Sequence, residues 1–165
     1  MDLIKLFLPL CWLKTNPLDL PKSAAFFRQN LLFSFVIEYF MQANMSDDPL
    51  EAFFEVGIET VLTLLFLGFM LFLNKTLSVY LQITTAILFC ANVISVAIVP
   101  VMVWLTVSES ALSYYLLGLL FLWDFAVVVY IFKRTVIVNT AAGIALALFY
   151  FISTYLGAFA LGQLI

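Results

Sequence analysis

Three carboxylates stand inside long apolar runs: Glu38, Glu59 and Asp124. An acidic side chain at the centre of a bilayer costs roughly 2.5–3.5 kcal/mol on insertion scales, so such residues face a bundle interior or water. Their chemistry would be that of a cation site or a proton-accepting path. Glu59 falls about 5 Å from the midpoint of its run at 1.5 Å per residue. Glu38 has a similar depth, and Asp124 is near the middle of its own run. Glu51, Glu55 and Glu59 recur every four residues and share a helix face, with Glu51 and Glu55 close enough to the run's end to reach interfacial water. The same acids have a structural reading: hydrogen-bonded to Asn92, Gln82, Thr63 or backbone, they would hold helices together. The sequence favours this second reading, because no ligand-binding motif accompanies the acids. Arg28, the one cation inside a run, lies toward the opposite end from Glu38. On this reading Asp124→Asn is tolerated and Asp124→Leu is damaging.

Other chemistries lack their residues. The chain has no His, which removes the commonest general base and metal ligand and any Ser–His nucleophile. Aspartyl chemistry needs two Asp, and the runs offer only Asp124. No Gly-rich loop could cradle phosphate. Cys11 and Cys90 are far apart in sequence and form no CxxC, so neither a zinc site nor a redox pair is indicated. Seven Lys and Arg in 165 residues make no basic patch for nucleic acid. The expectation is a protein that is not an enzyme and takes no cofactor or metal.

The elements that must position the acids follow from composition. With 65% hydrophobic and 10% charged residues and a mean hydropathy of +1.16, a water-soluble domain could not hide its apolar surface. The expected fold class is all-α, a polytopic membrane bundle of five transmembrane helices at about 24–45, 53–73, 79–107, 112–132 and 138–162, each near the ~20 residues that a ~30 Å hydrocarbon core requires. Residues 23–165 form this domain. Residues 1–22 are a cytoplasmic lead-in: an apolar stretch, Leu3 to Leu13, lying at the interface with Trp12 at headgroup depth, then turn chemistry at Asn16-Pro17 and Pro21. Ser23 suits a helix cap, and Ser46-Asp47-Asp48-Pro49 an acidic turn into the second span. With five spans, Lys5, Lys14, Lys22, Arg28, Lys75, Lys133 and Arg134 all fall on one side, and Asp47, Asp48, Glu51 and Glu109 on the other. The N-terminus is then cytoplasmic and the C-terminus outside. In the last span Gly143, Ala147, Thr154, Ala158 and Gly162 share a small-residue face suited to close helix packing. This suggests a protein that acts by binding a membrane-protein partner or itself within the lipid bilayer. The alternative is a small transporter or channel subunit using Glu38, Glu59 and Asp124.

Asn16-Pro17 before the first span, five spans, Pro100 late in the third, and a fourth span ending in Lys133-Arg134 together resemble the YIP family of five-helix membrane proteins. Eukaryotic members bind small GTPases and organise vesicle traffic through a longer cytosolic N-terminal region. The short lead-in here is similar instead to bacterial members. The resemblance implies a protein of the bacterial inner membrane and supplies no catalytic residue.

Overall fold

A computed structural model describes residues 3–45, 48–108 and 110–163. Ser46 and Asp47 of the acidic turn, and Glu109 of the later loop, lie outside the described residues. Six helices follow in order: α1 (Leu3–Cys11), α2 (Ala24–Ala43), α3 (Pro49–Leu73), α4 (Tyr80–Ser108), α5 (Ala111–Val136) and α6 (Thr140–Gly162). Short 3-10 turns at Pro17–Asp19 and Leu77–Val79 lead into α2 and α4, and a π-helical turn at Ile152–Leu156 interrupts α6. No strand occurs among the described residues.

Every long helix but α4 starts at a residue whose side chain satisfies an orphan backbone N–H. Ser23 accepts from Phe26 N, Asp48 from Leu50 N, Ser110 from Leu112 N and Asn139 from Ala142 N. Pro49 occupies the first turn of α3, so that helix begins four residues before the expected 53. The ends of α3 and α5 use left-handed residues that are not glycine, Lys75 (φ 57°) and Ile137 (φ 56°).

Four helices are long and apolar enough to cross a membrane: α3, α4 with its leading turn, α5 and α6. Only 22–44% of their apolar stretches lies inside the bundle. Large side chains such as Leu65, Phe69, Leu122 and Phe149 point outward, which lipid accepts and water does not. This is an integral membrane protein. The expected count of five drops to four on apolarity, because α2, although 20 residues long, carries Arg28, Gln29, Asn30, Glu38 and Gln42.

The bundle is built around α4. Every residue from Gln82 to Cys90 is buried, and α1, α2, α3 and α5 all pack on this helix. Asn92 reaches across to α2, donating to Asn30 O at 3.0 Å and Asn30 Oδ1 at 3.2 Å. Gln82 donates to the carbonyls of Pro17, Leu18 and Leu20, pinning the lead-in to the start of α4. The lead-in does not lie apart from the bundle. Phe7, Leu10 and Cys11 are buried, and Phe7 packs on Phe26 and Phe89. Trp12 meets Trp123, in the middle of α5, at 5.9 Å between rings, and Trp123 Nε1 donates to Cys11 O at 3.1 Å. There α1 brings together the two cysteines, which sequence separation had set apart: Cys11 Sγ and Cys90 Sγ are 3.4 Å apart and both buried.

Candidate functional site

Glu38 from α2, Glu59 from α3 and Asp124 from α5 converge in the bundle interior. Three different helices deliver them to one place because each acid lies on the face its helix turns toward the shared cavities. They stand where two cavities meet. One is a chamber of about 30 Å³ between Ser34, Thr60, Thr63, Tyr150 and the acids, room for about a single water. The other, about 300 Å³, runs from the acids toward the α2–α3 connection past Gln42, Met45, Glu55 and Met102. Glu38, Glu59, Asp124, Ala91 and Tyr155 belong to both linings.

The acids have few partners. Ser34, one turn earlier on α2, donates to Glu38 Oε1 at 2.8 Å. Tyr155 lines the same two cavities as Glu59. Asp124 has no side-chain hydrogen bond among the described residues. Of the partners the structural reading named, Gln82 is engaged with the lead-in carbonyls and Asn92 with Asn30, while Thr63 lines the small chamber beside the acids. No Lys or Arg lines either cavity. Arg28 is exposed and lies ten residues before Glu38 on α2, about 15 Å along the helix axis at 1.5 Å per residue.

Glu55 was expected merely to reach interfacial water. It is half-buried in the wall of the larger cavity and accepts from Gln42 Nε2 at 2.7 Å. Glu51 is exposed and accepts from Gln163 Nε2 at 3.4 Å. Glu55 and Glu59 thus form successive steps of one helix face leading inward to Glu38 and Asp124.

The π turn in α6 accounts for a residue the sequence did not single out. It adds backbone within one turn, as such turns often do at functional sites, and brings Tyr155 to the cavity wall beside Glu59. Thr154 remains buried and donates to Tyr150 O at 2.9 Å. Ser34 was findable from its spacing of four before Glu38; Tyr155, Tyr150 and Thr60 were not, since only tertiary packing makes them neighbours of an acid.

Gly143, Ala147, Thr154, Ala158 and Gly162 are all buried on one side of α6. A Cβ on Gly143 would meet Lys133 Cβ and Val129 O of α5 at 3.4 and 3.5 Å, and one on Gly162 would meet Glu55 of α3 at 3.8 Å. The small face is therefore occupied within the chain. Among the described residues no three His, Cys, Asp or Glu side chains are grouped closely enough to hold a metal ion.

No protein-family model, curated protein or solved structure matches the chain. The functional argument therefore rests on the site.

Proposed function

We propose that this is a small membrane transport protein whose interior acids, Glu38, Glu59 and Asp124, bind a small organic cation in exchange for protons. One observation carries the reading: three carboxyls from three helices meet at the inner end of a cavity that has no basic lining residue. An intramembrane acid without a cation partner marks an ion or substrate path by default. The opposite walls, Met41, Met45, Ile94, Ile98, Met102, Leu117 and Phe121, suit the apolar part of an amine rather than a hydrated metal ion. The rings of Phe121 and Tyr155 can face a cation. A volume near 300 Å³ is at the small end of ligand pockets. Assembly through the α6 small-residue face is not part of this reading, since α3 and α5 already cover that face.

The full chain in detergent, titrated with phenyltrimethylammonium, tests the proposal. The expected result is saturable binding with release of protons, lost in Glu59→Gln and Asp124→Asn. Binding without proton release, or binding indifferent to both substitutions, overturns it.

The orientation belongs to the same proposal. α2 crosses as a fifth span, with the N-terminus cytoplasmic. Two contacts support this: Lys22 Nζ donates to Ser78 O at 2.8 Å, at one end of the bundle, while Gln42 meets Glu55 toward the other. The acid-lined cavity then opens outward. A place among short YIP-like proteins of a bacterial inner membrane fits this topology.

A further inference from the structure

The transport reading makes no use of the thiols. We propose that Cys11 and Cys90 form a dithiol–disulfide pair that staples α1 to α4. Their sulfurs are already in contact at 3.4 Å, and both are buried, although 79 positions separate them. That contact is built by packing on three sides. Phe7 and Leu10 are fully buried on the same helix, Phe7 is wedged between Phe26 and Phe89, and the Trp123 indole holds the carbonyl of Cys11. Cys11 is the last residue of α1, and the chain turns away two residues later at Leu13, φ 59°, so a small shift of the helix end closes the remaining separation to the ~2.05 Å of a disulfide bond.

The oxidant is a low-molecular-weight disulfide. When α1 lifts, the Cys11 thiolate attacks one sulfur of that disulfide. A mixed disulfide forms and one small thiolate leaves. The Cys90 thiolate then attacks the Cys11 sulfur, the Cys11–Cys90 bond forms and the second small thiolate leaves. The two protein thiols give up two protons and two electrons, and one small disulfide becomes two thiols. The bond fixes α1 beside Trp123, the neighbour of Asp124, so the thiol state decides whether this wall of the bundle can move.

The test uses the full chain in mild detergent, first reduced, then exposed to oxidised glutathione. Each sample is denatured and labelled with a maleimide-polyethylene glycol, with intact mass measured in parallel. Two labels per reduced chain and none after oxidation, with a monomer mass lower by two hydrogens, are expected. The oxidised form should also unfold at a higher temperature, and Cys11→Ser and Cys90→Ser should each abolish that shift. Two labels persisting after oxidation, two glutathione adducts on one chain, or a disulfide found only between chains would overturn the pair. An oxidised monomer no more stable than the reduced one would overturn the staple.

Discussion

Asp124 separates the two readings of the acids at the level of a single side chain. A structural acid needs donors, and Asp124 has none among the described residues. Asp124 faces the cavities, and an acidic side chain deep in a bilayer costs roughly 2.5–3.5 kcal/mol on insertion scales, a cost that an apolar side chain does not carry. Asp124→Leu is therefore predicted to raise the unfolding temperature in detergent, the reverse of the sequence expectation that Leu is damaging. Asp124→Asn should change stability little, and both should lose cation binding. A Leu variant that unfolds below the parent would restore the structural role. Gln82 is the opposite case. Its one amide group serves three backbone carbonyls, and Gln82→Leu strands them. That change should destabilise the protein by about 2 kcal/mol or more, seen as a lowered thermal midpoint. The three acids were legible in the sequence because carboxylates are rare within apolar runs. The roles of Gln82 and Asn92 were not, because an amide in a helix does not reveal which distant carbonyl it will meet.

At the level of elements, the starts of α2, α3, α5 and α6 follow from caps that can be read directly, while the interruptions do not. No Pro or Gly pair announces the π turn at Ile152–Leu156, and Pro100 sits inside α4 without ending it. The C-terminus of α5 is another silent feature: Ile137 holds a left-handed conformation while 86% exposed. A β-branched residue there is strained by about 1–2 kcal/mol, and glycine is not. Ile137→Gly should raise stability by about 1 kcal/mol, measured by thermal unfolding. On α6, Gly143 has ordinary contact distance for one methyl group but no more. Gly143→Ala should be neutral or stabilising by up to about 1 kcal/mol through helix propensity. Gly143→Leu should cost about 1–3 kcal/mol by overpacking against Val129 and Lys133.

The whole molecule turns on α2. Hydropathy alone leaves it out of the membrane-crossing set, because its polar residues dilute the signal. Those residues have interior uses: Asn30 binds Asn92, Glu38 joins the acids, and Gln42 meets Glu55. A helix that lines a polar chamber does not read as a fully apolar span, so under the proposed five-span arrangement the residues that dilute the hydropathy of α2 include ones that line the cavities, Glu38 and Gln42. The charge pattern supplies an independent argument. Lys22 reaches Ser78 in the α3–α4 turn, and Lys133 reaches Thr140 at the start of α6, and five spans put both of these helix connections on one side with Lys22, as the positive-inside rule demands. Four spans, with α2 lying outside the bilayer, would put both ends of α2 on one face of the membrane. Single cysteines at Asp19 and Asn44, in a Cys11→Ser, Cys90→Ser background, decide between the two arrangements. Both positions are exposed, so a membrane-impermeant maleimide added to intact cells can report them. The expected result is labelling of Asn44→Cys from outside and of Asp19→Cys only after the membrane is opened. If both label alike, α2 does not cross and the outward-opening cavity falls with it. If the pattern is inverted, the crossing stands but the cavity faces the cytoplasm, and the direction of cation exchange reverses.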